Sequence, residues 1–221
     1  MLRRSGVFGA ILSVGVLFFV GCTNGSFGRV EGSGTSQTEI RKTDAFHAVR
    51  LNGAADVSIT IGDKTEVTVT ADDNVLPLIE IDASGGTLVI GNKESYSSHV
   101  GVKVAIVTPS LDAFELNGSG DVTINGLKGE KFSAKIRGSG DLTADGSVDS
   151  VDASIAGSGD LKLVDLKAKK VDVSIAGSGG ATVSADESFT ASIAGSGDIS
   201  YKGNPANVQS NVAGSGRVHK I

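Results

Sequence analysis

A Gly-Ser-Gly corner occurs six times in the C-terminal half of the chain, at intervals of 18 to 20 residues. The octapeptide ASIAGSGD is written twice, at 153–160 and 191–198, and VSIAGSGG stands between the two copies at 173–180. A repeat of this length is typical of folds in which one short unit is stacked on the next. The first glycines of the six corners are Gly118, Gly138, Gly157, Gly177, Gly195 and Gly214.

The residues on both sides of each corner alternate between apolar and polar, which is the pattern of half-buried strands. A strand of this length cannot bury its apolar face alone, but equivalent strands stacked about 4.8 Å apart would place like residues on like. Glycine suits the corner because a positive φ costs it little. Two positions before the corner stand Leu116, Ile136, Ile155, Ile175, Ile193 and Val212. Of these, Ile136, Ile155, Ile175 and Ile193 are expected to form one continuous internal column.

The repeat therefore predicts an all-β fold, a β-helix or solenoid with coils of roughly 19–20 residues. The alternative is an antiparallel meander in which the Gly-Ser-Gly segments are hairpin loops. The coil is favoured because it stacks identical residues of successive repeats on each other. In a meander, strands of opposite direction would pair, and the copies would have less reason to be nearly identical.

An N-terminal region of paired strands is expected before the repeats. Segments such as DVSITI and EVTVTA alternate with period two and are rich in β-branched residues. The stretch LNGAADVSI at 51–59 aligns with LNGSGDVTI at 116–124, so the corner unit is used once early, before an excursion over 62–110 with a loop around 91–101. We expect one domain over 38–221, with N-terminal strands in 38–110 and repeats in 111–221.

The first 21 residues have the features of an export signal. Arg3 and Arg4 precede an apolar stretch over 7–20, which is too short to span a bilayer and fits a signal peptide. The stretch ends at Cys22, the single cysteine of the chain, in a context that resembles a bacterial lipobox. We expect a lipoprotein in which Cys22 is lipidated, palmitate included, and attaches the mature chain to the membrane.

The residues after Cys22 predict how the domain is attached and where. Residues 22–37 are rich in Gly, Ser and Thr, a composition typical of a flexible tether. Thr23 follows the cysteine in place of aspartate, which, by resemblance to lipoprotein sorting in Gram-negative bacteria, favours the outer membrane.

The GSGD repeats behind a lipoprotein signal resemble the DUF2807 family, the putative auto-transporter adhesin head GIN domain. The segments FHAVRLNGAADVSITIGDKTEVTVTADDNVLPLIEI and TLVIG also resemble its N-terminal half, so the resemblance covers roughly residues 40–220. It implies a β-helical solenoid with an adhesin-like role at the cell surface, and it implies no catalytic residues.

The aspartates that follow the corners are the main candidates for chemistry. Stacked carboxylates 4.8 Å apart repel by about 1 kcal/mol in water, so a column of them needs no metal. Two interpretations stay open, namely that each aspartate caps turn N–H groups or that the column binds a cation. Gly180 and Arg217 interrupt the column, and Arg217 is placed to pair with Asp198. The candidates are Asp121, Asp141, Asp160 and Asp198.

The rest of the sequence predicts no cofactor and no metal centre. The net charge of −5 and the mixed charges argue against nucleic acid. We expect a non-catalytic binding or scaffolding surface for an envelope protein or glycan. The alternatives are a polysaccharide-active enzyme that uses Asp141 and Asp160 as a carboxylate pair, and a structural envelope component without an external ligand. The open last coil predicts a homo-oligomer or a capping contact from 62–110.

Overall fold

The computed structural model describes residues 28–221, and nearly all of its regular structure is β. A single short 3-10 helix spans Leu76–Leu78. The strands, numbered in chain order, are β1 (Val30–Glu31), β2 (Ser36–Arg41), β3 (Ala48–Gly53), β4 (Asp56–Ile61), β5 (Glu66–Asp72), β6 (Ile79–Ser84), β7 (Thr87–Asn92), β8 (Tyr96–Ser97), β9 (Lys103–Thr108), β10 (Ala113–Gly118), β11 (Val122–Gly138), β12 (Leu142–Gly157), β13 (Leu161–Gly177), β14 (Gly180–Gly195), β15 (Asp198–Lys202), β16 (Asn207–Gly214) and β17 (Arg217–Lys220).

The repeats stack in parallel and in register, which confirms the predicted solenoid. Gly118 pairs with Gly138, and each later corner glycine pairs with the one before it, up to Gly214. All these units run in the same direction, so the antiparallel meander is wrong. The aliphatic column also forms as expected: Ile136, Ile155 and Ile175 lie side by side and are buried.

Two sheets result from this stacking, and β11 to β14 pass through both. The segments that lead into a corner form the pre-corner sheet, in the order β6-β7-β3-β10-β11-β12-β13-β14-β16. The segments that follow a corner form the post-corner sheet, in the order β2-β5-β9-β4-β11-β12-β13-β14-β15-β17. The inward residues of both sheets form one hydrophobic cluster, in which Phe114, Phe132 and Phe189 are among the largest fully buried side chains.

Each corner is held by the carbonyl group of its first glycine. The carbonyl oxygen of Gly138 accepts hydrogen bonds from the N–H groups of Ser158 and Gly159 in the next coil, at 2.9 and 3.2 Å. Gly157 has a φ of 141°, and a Cβ atom there would lie 2.1 Å from the Gly138 carbonyl oxygen. A Cβ on Gly159 would lie 2.1 Å from the carbonyl oxygen of Gly140. The close approach of successive coils therefore requires both glycines of the motif.

The solenoid begins earlier than the predicted boundary at residue 111. Strand β3 pairs in register with β10, so that Gly53 stacks on Gly118, and β4 pairs with β11. The excursion is inserted into this first coil, as the two similar stretches predicted. Ala55 stands where later corners have their second glycine, because the strands beyond it, β7 and β9, belong to the excursion and do not repeat the corner.

The described part of the predicted tether over 22–37 belongs to the domain. Strand β1 pairs with β8, which lies in the predicted loop 91–101, and β2 begins at Ser36 and pairs with β5. The signal peptide at 1–21 and Cys22 lie outside the described residues. Among the residues that the structure describes, no helix is long and apolar enough to cross a membrane.

The two ends of the stack differ. The excursion covers the end formed by the first coil, which we call the head end, so the expected capping contact of 62–110 with the last coil is wrong. At the opposite tail end, all residues of β16 are exposed, including Val208 at 46% and Val212 at 39%. The homo-oligomer stays a prediction.

Replacement of a corner glycine tests the stacking. We expect Gly157→Ala to lower the free energy of unfolding by about 3 kcal/mol or more, because the methyl group would meet the Gly138 carbonyl oxygen. That corresponds to a fall in Tm of roughly 6–12 °C for a domain of this size. The measurement is thermal unfolding followed by circular dichroism. Ser158→Ala, at the exposed middle residue of the same corner, is the control and should leave Tm unchanged.

Candidate functional site

The aspartates predicted as site residues form a column along the post-corner sheet. They stand directly before or at the start of its strands, where the register brings successive coils side by side. Gly180 takes the place of an aspartate between Asp160 and Asp198, and Arg217 follows Asp198. The aspartate column, as we call it, consists of Asp121, Asp141, Asp160 and Asp198.

Three of these carboxylates accept a hydrogen bond from the backbone of the next coil. Asp141 Oδ1 accepts from the N–H of Asp160 at 3.0 Å, and Asp160 Oδ1 accepts from the N–H of Gly180 at 2.7 Å. Asp198 Oδ1 accepts from the N–H of Arg217 at 2.9 Å. The donor is thus a residue of the following coil and not of the same turn. Each carboxylate therefore adds a hydrogen bond between coils, at a backbone N–H group that the hydrogen bonds between the strands would otherwise leave without a partner.

Cations partly neutralise the column. Lys162, the second residue of β13 in the next coil, places its Nζ atom 2.7 Å from Asp141 Oδ2. The Lys162 ammonium group and the Asp160 N–H lower the pKa of Asp141, and in turn the Asp141 carboxylate raises the pKa of Lys162. At the tail end the expected pairing of Arg217 with Asp198 is present at 3.1 Å and lowers the pKa of Asp198.

Sequence reasoning missed two members of this pattern. Asp56 extends the column at the head end, where it pairs in register with Lys103. The alignment of LNGAAD with LNGSGD contained the signal for Asp56. Asp145 Oδ1 accepts from the N–H of Gly126 in the previous coil at 2.8 Å, at a bend that no repeated motif marks.

The surroundings of Asp141 differ from those of the acid in a glycosidase carboxylate pair. A carboxylate pair for glycosidic cleavage needs one acid held protonated, which requires a raised pKa. Asp141 has the opposite shift, and its second oxygen is occupied by Lys162. Within residues 28–221, no group of three or more His, Cys, Asp or Glu side chains is placed to hold a metal ion.

A second carboxylate of interest, Asp72, is fully buried next to the N-terminal segment. Its Oδ1 atom accepts from the N–H of Gly34 at 2.6 Å, and its Oδ2 atom accepts from the Ser98 hydroxyl and from the N–H of His99 at 3.1 Å. A Cβ atom on Gly32 would lie 2.7 Å from the Asp72 Cγ atom, so the chain passes directly over the carboxylate. Asp72 thereby fastens the segment before β2 to the loop after β8, and nothing in the sequence marked it.

A known protein family matches most of the chain. Residues 45–205 match the DUF2807 family, described as putative auto-transporter adhesin, head GIN domain. The chain belongs to this family. The matched range covers the first coil, the excursion and all but the last coil of the DUF2807 domain, and no curated protein matches the chain.

Solved structures share the fold of this DUF2807 protein. A putative adhesin from Bacteroides fragilis is similar with a TM-score of 0.72 and 24% identity, over 87% of this chain and 100% of that chain. A putative adhesin from Parabacteroides distasonis has a TM-score of 0.58 and 23% identity, over 88% and 100%. A protein from the same species, described as a putative lipid binding protein, has a TM-score of 0.58 and 24% identity, over 88% and 100%. At these identities the likeness concerns the fold.

Asp72 makes stability depend on pH. Hydrogen bonds from Ser98, Gly34, Val100 and His99 lower its pKa below the ordinary value of 3.8, against the effect of burial. A carboxyl group with a lowered pKa stabilises the folded state above its unfolded pKa, and this contribution is lost as the pH falls through the folded value.

We therefore expect Asp72→Asn to lower Tm at pH 7, since the amide would set an NH₂ group against N–H donors. The difference from wild type should shrink as the pH falls below about 4. Thermal unfolding at a series of pH values measures this. Asp44→Asn, at an exposed position, is the control. An unchanged Tm of Asp72→Asn at pH 7 would contradict the role of Asp72.

Proposed function

We propose that this protein is an exported, lipid-anchored component of the cell envelope that works as a non-catalytic, adhesin-like binding or scaffolding surface. Membership of a family described as adhesin heads supports the adhesin-like role. The lipobox-like context of Cys22 supports the anchor, and Thr23 supports the outer membrane. The partner is a protein or glycan of an envelope.

The observation that carries the non-catalytic role is the use of the aspartate column. Asp141, Asp160 and Asp198 each give a carboxylate oxygen to a backbone N–H of the next coil. These are the most repeated acidic groups of the chain, and each of the three adds a hydrogen bond between successive coils. A stack held in this way presents a fixed surface, which lowers the entropic cost of binding a partner.

The anchor is tested by Cys22→Ser in the native host. We expect the wild-type protein in the outer-membrane fraction and the variant in the soluble fraction of the envelope, because the lipid attachment atom is removed. Ser26→Ala, in the same segment, is the control and should fractionate as wild type. Equal membrane retention of the Cys22 variant would refute the lipid anchor.

The binding role is tested by comparing cells that produce the protein with cells from which its gene is deleted. We expect the producing cells to be retained better on immobilised envelope material, and the purified full chain in detergent to compete for that retention. Equal retention of both cell types would refute the adhesin-like role. Release of reducing sugar ends from the envelope material, abolished by Asp141→Asn, would refute the non-catalytic role.

A further inference from the structure

An open groove of about 780 Å³ lies at the head end of the pre-corner sheet, on the outward face of β6 and β7. It is separate from the aspartate column, which runs along the other sheet. Pro77, Ile79, Ile81 and Val89 provide the apolar part of its surface, and the remaining lining is mostly polar. The polar lining residues are Arg41, Asn52, Glu80, Asp82, Asn92 and Lys93.

Gly91 creates the space in this groove. It is the last but one residue of β7 and pairs with Glu80 of β6. On the β3 side the paired register ends at Leu51 and Ile90, one residue before Gly91, and Asn52 lines the same groove. A Cβ atom on Gly91 would meet no heavy atom within 4 Å, and its φ is not positive, so neither a steric contact nor a turn explains the glycine. Glycine inside a strand weakens it and often marks a place where a ligand or another backbone approaches closely.

Three charged side chains around Gly91 are available to a ligand. Glu80, Asp82 and Lys93 are exposed, and within the described part of the chain they make no ion pair and no side-chain hydrogen bond. Arg41, by contrast, is already engaged, since its guanidinium contacts Glu39 and the Leu76 carbonyl oxygen at 3.0 Å. Two acids thus face one free base and one paired base, so the groove carries no large excess of charge of either sign.

Carboxylates, amides and an ammonium group in a shallow open groove match the alternating donors and acceptors of sugar hydroxyls. A peptide bound in an extended conformation would need pockets for its alternate side chains, whereas most of the groove lining is polar. The polar lining therefore favours a neutral glycan over a peptide.

A second depression extends the groove around Asn92. It has a volume of about 660 Å³, and Tyr96, Arg29 and Ser95 are among its lining residues. Tyr96 is half-buried, packs in part against the hydrophobic cluster and lines this depression. Aromatic rings offer the flat apolar surface on which the C–H face of a sugar can lie. The two depressions share Asn92 as a lining residue, so one extended ligand can contact both.

We propose that this head-end groove binds a neutral oligosaccharide across Gly91, with Glu80, Asp82, Asn92 and Lys93 as its hydrogen-bonding groups and Tyr96 as a stacking surface. The proposal rests on the adhesin-like function proposed above and names the class of its ligand. The glycan belongs either to the surface of another cell or to the envelope of the same cell.

The decisive variant is Gly91→Leu, which fills the groove without touching the core. The full chain, purified in detergent, is applied to an array of neutral hexose and N-acetylhexosamine oligosaccharides, with sialylated and sulfated glycans as a second arm. We expect wild type to bind neutral oligosaccharides, and Gly91→Leu to bind them at least about tenfold more weakly. Asp82→Asn should weaken binding by a similar factor, because it removes a charged acceptor. Ser192→Leu adds the same side chain to an exposed position near the tail of the same sheet and should bind as wild type.

Four other outcomes would each contradict a different part of the proposal. Unchanged binding by Gly91→Leu, with Tm equal to wild type, moves the site elsewhere and leaves the adhesin-like function intact. If the protein binds only acidic glycans, the proposal that the ligand is neutral is refuted. If it binds only protein from deglycosylated envelopes, the proposal that the ligand is a glycan is refuted. If wild type binds no glycan, the groove proposal fails, and cell retention decides separately whether the adhesin-like function stands. Retention on glycans of its own envelope, or only on those of other cells, identifies the source.

Discussion

The carbonyl group of the corner glycine is the contact on which the rest of the structure depends. At successive corners it accepts two N–H groups from the next coil, at 2.9 to 3.3 Å from Gly138 to Gly195. This contact exists only if both glycines of the next corner lack a Cβ atom, since either would come within about 2.3 Å of a carbonyl oxygen. Once the corners are superposed, the register of both sheets follows, and the isoleucines are brought into one column.

Much of the solenoid could be predicted because each coil repeats the information of the one before it. A column such as Ile136, Ile155 and Ile175 appears in the sequence as the same letter at the same offset, and parallel stacking is the arrangement that uses this identity. The excursion carries no such repetition. Strand β5 pairs antiparallel with both β2 and β9, and the N-terminal segment is fixed by Asp72, about forty residues further on. Pairings of that kind depend on tertiary contacts that no local pattern specifies.

The same distinction applies to the candidate sites. The aspartate column was visible because it is part of the repeat, but its hydrogen-bond donors were not, since these depend on how far one coil is offset from the next. Gly180 shows the effect: a Cβ atom there would lie 3.0 Å from Asp160 Oδ1, so the residue that breaks the column also gives the Asp160 carboxylate room to reach the backbone. The head-end groove could not be predicted at all, because the space above Gly91 is bounded by residues of β3 and β6, and the pairing of these strands with β7 is not marked in the sequence.

The position of the groove has a consequence for where its ligand lies. The chain enters the domain at the head end, where Arg29 donates to the Tyr96 carbonyl oxygen at 2.7 Å beside the second depression. With Cys22 as the proposed anchor, the seven residue steps to Arg29 can span at most about 25 Å. A glycan bound at the head is therefore held near the membrane that carries the anchor, whereas β16 lies at the opposite end of the stack. This geometry favours a glycan of the same envelope as the ligand of the groove and leaves the exposed tail edge as the part furthest from the point of attachment.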